Sequence, residues 1–208
     1  IIMYALVESG TITKYFNYPK GFTLGDIQYP SDIFTKWSVE EKKAIGIYEV
    51  VFDNSNFKDE KWYINTNQSF AFANNTVTAS YGTATAKAHA DTTWSQDDED
   101  AGDLPDDKSV GDIKTRGLKY NLIQTLKSQV ANELARTDWY ITRNSEKSTA
   151  IPSSISNHRD AVRTKQAAME AQITGASDTA ALETLYTFTE QEDGSVTRPL
   201  GELPVLES

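Results

Sequence analysis

The residue types that do most enzymatic chemistry are scarce in this chain. It has no cysteine and only two histidines, His89 and His158. Thiolate nucleophiles, disulfide frameworks and cysteine-based zinc sites are therefore excluded. His89 sits in a small-residue stretch, TATAKAHA, and His158 stands beside Arg159 and Asp160. No Gly-x-Ser-x-Gly elbow, His-Glu-x-x-His pair or glycine-rich phosphate loop accompanies them. Both read as ordinary surface or boundary residues. The densest polar cluster is Gln96–Lys108, with seven acids: Asp97, Asp98, Glu99, Asp100, Asp103, Asp106 and Asp107. Calcium loops need alternating oxygen ligands around a glycine turn and a closing glutamate. Here Gly102 is out of register and position 109 is Ser. A solvated acidic loop is the better reading. No catalytic residue, metal site or cofactor is expected.

Binding chemistry is better represented. Trp37, Trp62, Asp138, Trp139, Tyr140, Arg159 and Arg163 are the candidate residues. Trp139 lies between two amphipathic helical patterns, where a large ring fills the crevice between packed helices. Arg159 and Arg163 stand one helical turn apart, so Asp138 can accept from one of them and lock the helix pair. Trp37 and Trp62 read as core or interface residues. With Trp139 as a core plug, its replacement by Ala is predicted to cost ~3–5 kcal/mol.

The elements that must position these residues are legible as hydrophobic periods. Leu118, Leu122, Leu126, Val130 and Leu134 recur every fourth residue, the mark of one helical face. Ile155, Val162, Met169 and Ile173 do the same after Pro152. Helices are predicted over Lys114–Arg136, Ser154–Thr174 and Thr179–Tyr186, with Ser177 or Asp178 capping the last. Residues 138–152 read as an aromatic anchor followed by a polar loop. Earlier in the chain, Tyr4–Val7 and Thr11–Phe16 flank Ser9-Gly10 as a hairpin. Ser38 with Glu41 forms a capping box for a short helix, Val39–Ala44, ended by Gly46. Strands follow at Tyr48–Phe52, Lys61–Asn65, Ser69–Ala73 and Thr76–Tyr81, the last three as a meander turning at Asn74-Asn75.

The expected fold class is therefore α+β. A β-rich part over residues 1–90 leads through an acidic linker, 91–112, into a helical part over 113–188. An extended arm, 189–208, is expected last, because Gly194, Pro199, Gly201 and Pro204 interrupt any regular element.

Composition narrows the partners. The chain has 208 residues and a formal net charge of −10, with Lys and Arg scattered among 30 acids. Phosphate recognition needs clustered cations, so nucleic acid and anionic membrane surfaces are disfavoured. No apolar run approaches the ~18 residues of a membrane span. The opening IIMYALVESG lacks the basic flank of a secretory signal, and Met3 reads as an initiator preceded by two residues.

Two stretches resemble tailed-bacteriophage proteins. The first runs Ile27-Gln-Tyr-Pro-Ser-Asp-Ile-Phe34, then Trp37, Glu40-Glu41 and Ile45-Gly46-Ile47. It is similar to the N-terminal module of small phage tail proteins. The second, Thr137-Asp-Trp-Tyr140, then Ala150-Ile-Pro152 and the Arg-x-Ala-Val-Arg helix at 159–163, resembles the C-terminal segment of tail-associated and tail fibre assembly proteins. The resemblance implies a non-enzymatic structural protein of the tail tip, baseplate or fibre base. Its expected location is the virion, or the host cytoplasm during assembly, and its expected partners are other tail or fibre proteins and further copies of itself. The alternatives are a fibre assembly chaperone and, behind it, a glycan-binding or glycan-degrading tail protein. The last needs a cleft lined by Trp37, Trp62 or Trp94 with two carboxylates nearby.

Overall fold

The computed structural model describes residues 3–206; Ile1 and Ile2, ahead of the expected initiator, and Glu207 and Ser208, in the expected arm, lie outside the described residues. Helices and strands mix in an α+β fold whose described residues divide into two compact units between Thr85 and Ala86.

The first unit is built on a five-stranded sheet ordered β2-β1-β5-β8-β7. Strands β1 (Tyr4–Glu8) and β2 (Thr11–Phe16) form the expected hairpin, turning at Ser9 and Gly10 in the left-handed region. β1 is the core strand because both of its faces are covered. Tyr4 and Leu6 point to an aromatic cluster with Phe16, Phe22, Ile33, Phe34 and Ile47. Ala5 and Val7 point the other way, to Val50, Val77 and Ala79. This two-residue alternation is what a pleated strand imposes.

Strand β5 (Ile47–Asp53) pairs antiparallel with β1 and parallel with β8 (Thr76–Ser80). β8 in turn pairs with β7 (Ser69–Ala73) across the turn at Asn74 and Asn75, both at positive φ. The edges of the sheet curl towards each other, and Tyr15 of β2 meets Phe70 of β7 with ring centroids 4.8 Å apart.

A short ribbon of β3 (Phe22–Leu24) and β4 (Ile27–Tyr29) and a single-turn helix α1 (Ile33–Lys36) cover the aromatic face. Helix α2 (Val39–Ala44) has the predicted capping box, in which the Glu41 backbone N–H donates to Ser38 Oγ and the Ser38 N–H donates to the Glu41 carboxylate. Its chain turns at Gly46, where φ is +82° and a Cβ would stand 2.5 Å from the Val7 carbonyl oxygen, so no other residue fits.

The expected three-strand meander is corrected to a hairpin. Only Tyr63–Ile64, β6, is extended in the Lys61–Asn65 stretch, and it stands outside the five-stranded sheet. The Asn65 side chain accepts from the Lys58 N–H and donates to the Lys58 carbonyl, closing a local loop instead of a ladder. A further short strand, β9 (Thr85–Ala86), sits at the boundary of the units.

The second unit begins inside the expected β-rich part and takes in the expected linker. Its division falls at 85/86 instead of 90/91, and residues 91–112 carry their own structure. Strand β10 (Thr92–Thr93) pairs with β11 (Ile113–Thr115), enclosing helix α3 (Gln96–Asp100) with its own capping box from Ser95 and Asp98. Lys114 holds the segment together, paired with Asp98 and 4.4 Å from the centre of the Trp94 ring. Its hydrogen bond, with those from Ser95, draws the Asp98 carboxyl from 3.8 to about 2. A folded-state pKa below the unfolded one stabilises fully above the unfolded value and is lost as pH falls through the folded one. The stability advantage of the wild-type chain over Asp98→Asn, followed by denaturant unfolding, is therefore expected to shrink as pH drops from 3.8 towards about 2.

Helix α4 (Leu118–Ala135) starts later than predicted because Ile113–Thr115 is used by β11. Its first turn abuts residues 88–91: Leu118 and Lys119 N–H groups donate to the carbonyls of Ala88 and His89. The Gly117 N–H donates to Asp91, whose carboxyl is held below its usual range by that bond and by Arg116. A Cβ on Gly117 would lie 2.3 Å from the Ala90 carbonyl. Gly117→Ala is expected to destabilise the unit by about 2–3 kcal/mol through this clash alone, read as a lowered urea midpoint at unchanged slope.

Helix α6 (Ser153–Gly175) runs antiparallel to α4: Glu133 meets His158 near one end, and Lys119 meets the Thr174 carbonyl near the other. Ile155, Val162, Met169 and Ile173 are buried as their spacing predicts, as are Leu126 and Val130 on α4. Asp178 caps α7 (Thr179–Tyr186).

The expected extended arm is corrected too. Thr189–Glu190 (β12) and Val196–Thr197 (β13) form a hairpin, after which Leu200 is 1% exposed and its N–H donates to the Leu185 carbonyl. Arg198 lies over the rings of Tyr186 and Phe188. One apolar residue among the turn formers is enough to fold this segment back on its own unit.

Candidate protein-docking site

A helix that periodicity does not announce presents an exposed tryptophan, Trp139. Helix α5 (Asp138–Lys147) follows α4 after a break at Thr137, where φ is −118° and ψ is 4°. Its sequence, DWYITRNSEK, has no apolar period, and none of its residues is buried. It ends at Ser148 in the left-handed conformation, with the Asn144 side chain donating to the Thr149 carbonyl.

What holds α5 in place is Arg159 of α6. Its buried guanidinium donates to the Leu134 carbonyl at 2.8 Å, Thr137 Oγ1 at 2.7 Å and the Asp138 carboxylate at 2.8 Å. One cation thus caps the C-terminal end of α4, where carbonyls lack helical partners, and anchors the acidic first residue of α5. Beside it, His158 is buried against Glu133, 3.0 Å away, deeper than the surface or boundary position expected. Burial pushes the Glu133 carboxyl up, but Arg136 and His158 outweigh it and leave it below the usual range.

On this support Trp139 stands 51% exposed, contrary to the expected crevice plug. Its ring lies 3.8 Å from that of Tyr140, centroid to centroid, and the Arg143 guanidinium sits 4.6 Å from the Trp139 ring centre and 5.3 Å from that of Tyr140. Arg143 Nε is shielded from water without a hydrogen-bond partner. Among the described residues Arg143 forms no ion pair. Ile141 adds apolar surface, 41% exposed. A tryptophan, a tyrosine and an arginine stacked on a rigid helix are the residue types that dominate protein–protein binding energy.

The expected residues separate into three groups. Asp138, Trp139, Tyr140 and Arg159 come together here, and the expected Asp138–arginine lock is made by Arg159. Arg163 instead pairs with Asp160, 3.2 Å away on its own helix. In the first unit, Trp62 is buried at 3% exposure and Trp37 packs edge-on against Tyr29. Arg143 was missing from the expectation. Its signal was the four-residue spacing from Trp139, which acquires meaning only once 138–147 is read as a helix.

Among the described residues no group of histidines and carboxylates is arranged to hold a metal ion, and no helix is long and apolar enough to cross a membrane. No family model, curated protein or solved structure matches the chain.

Proposed function

We propose that this chain is a non-enzymatic structural protein of a bacteriophage tail, placed at the tail tip, baseplate or fibre base by protein–protein contacts. The single observation that carries the docking half of this reading is the Trp139–Tyr140–Arg143 stack on α5. A side chain this large, half exposed on a helix with no fully buried residue, supports a role in which a partner covers it. The phage half rests on the two resembling stretches, of which Thr137–Tyr140 coincides with the start of this helix.

The alternative of an assembly chaperone is favoured by one observation. The C-terminal segment is ordered by its own unit through Leu200, so it does not require a neighbouring subunit. The glycan reading gains no support, since Trp62 is buried, Trp37 rests on Tyr29 and Trp94 lies under Lys114.

Peptide mass spectrometry of density-gradient-purified particles of a phage encoding this chain separates the readings. A fixed, near-integer copy number per particle is the expected result for a tail component. Abundance in lysate with absence from particles would replace that reading with the chaperone.

A further inference from the structure

The second unit is electrically lopsided, and its two poles match each other. Residues 127–165, which include α5, hold seven Lys and Arg against four Asp and Glu. Residues 91–112 hold one Lys against nine acids. Within the acidic segment, Asp98 is taken by Lys114 and Ser95, and Glu99 and Asp100 accept from Gln96. Asp106 remains on the surface, Asp107 pairs with Lys108 3.3 Å away, and Val110 at 44% and Ile113 at 39% exposure follow them in the chain. That is an apolar pair flanked by carboxylates. The α5 platform is a pair of rings, Trp139 and Tyr140, flanked by a guanidinium without an acid.

We infer that the occupant of the α5 platform is a second copy of this chain, docked head to tail through its Asp106–Ile113 segment. This deepens the proposed function and rests on α5 being a docking surface. Stacking on two rings holds the Arg143 guanidinium in one orientation, which lowers the ordering cost of receiving a carboxylate. Trp139 then covers Val110 and Ile113, removing from water three apolar side chains that a lone chain leaves exposed. Because the two surfaces differ, the contact is heterologous: each copy uses its α5 on one neighbour and its acidic segment on the other. Such a contact closes into a ring or continues as a filament. The net charge of −10 opposes random association, so only the orientation that brings opposite poles together is favoured.

The test is sedimentation velocity on the full chain and two variants, Arg143→Glu and Asp106→Lys/Asp107→Lys, each checked by circular dichroism and thermal melting. All three substituted positions lie outside the core, and folded variants are expected. At low salt the wild-type chain is expected to associate with rising concentration, and to do so about tenfold more weakly at high salt, where exposed charges are screened. Each variant alone is expected to stay monomeric. Their equimolar mixture is expected to associate again, because the intact α5 of Asp106→Lys/Asp107→Lys meets the intact acidic segment of Arg143→Glu, and the reversed charges of the two variants also attract each other.

A wild-type chain that is monomeric throughout at low salt overturns the inference, as do variants that associate like wild type or a mixture that does not pair. If melting shows Arg143→Glu misfolded, Trp139→Ala takes its place with the same expected outcomes. Loss of self-association leaves docking to other tail proteins intact, and that reading is judged separately by particle composition.

Discussion

Phe34→Ala is expected to cost the first unit about 3–5 kcal/mol, the range for deleting a buried aromatic ring. Phe34 sits at the middle of the aromatic cluster: its ring lies 4.9 Å from Tyr4, 5.2 Å from Phe16 and 6.1 Å from Phe22. Tyr4 also donates its hydroxyl hydrogen to the Phe34 carbonyl. The cavity left by Ala would face rings that are rigid and already shared among neighbours, so collapse around it is limited. Since whole domains are stable by only ~5–15 kcal/mol, this single change brings the unit close to unfolding at ambient temperature. Urea unfolding followed by far-ultraviolet circular dichroism checks it, with Phe34→Leu as the milder control at under about 1.5 kcal/mol. A Phe34→Ala midpoint equal to wild type would mean the cluster does not hold this sheet.

Trp139→Ala is expected to do the reverse: large for binding, small for stability. The ring is 51% exposed, and its internal contacts are Tyr140 and Arg143. Losing an exposed cation–π contact costs about 0.5–1 kcal/mol, against ~3–5 kcal/mol for a plug in a core. At a docking surface, truncating a central tryptophan costs about 2 kcal/mol or more, roughly thirtyfold in affinity. The variant should therefore melt within a few degrees of wild type and yet be depleted from purified particles. A large fall in melting temperature would return Trp139 to the crevice role its neighbours in sequence suggest. Arg159 separates the two effects, because it is buried and acts by placing α5.

How much of this was legible depended on whether a local signal was also the deciding one. The Ser9-Gly10 and Asn74-Asn75 turns, the Ser38–Glu41 box and the Ile155–Val162–Met169–Ile173 face are all local, and each stands where its residues place it. Helix α5 was not legible, since Thr142 to Lys147 is polar throughout and the helix is set by Arg159, distant in sequence. The parallel pairing of β5 with β8 is likewise a choice of partner, which hydrophobic alternation does not encode. Leu200 shows the same limit from the other side: a glycine- and proline-rich tail reads as an arm until one leucine finds a pocket. At the docking site Asp138 and an arginine partner were foreseeable from spacing. The exposure of Trp139 was not, because a tryptophan between two amphipathic helices fits a crevice as readily as a surface.

The most direct measurement of the central claim is photo-crosslinking inside intact particles. A photoreactive residue replaces Ile141, which is exposed on α5 and belongs to no core cluster. Particles of the encoding phage are purified and irradiated, and adducts are mapped by peptide mass spectrometry. The expected result is adducts joining position 141 to a tail protein or to residues 106–113 of another copy of this chain. Particles that contain the chain but yield no adduct from position 141 would contradict docking through α5, and particles without the chain would contradict its place in the tail.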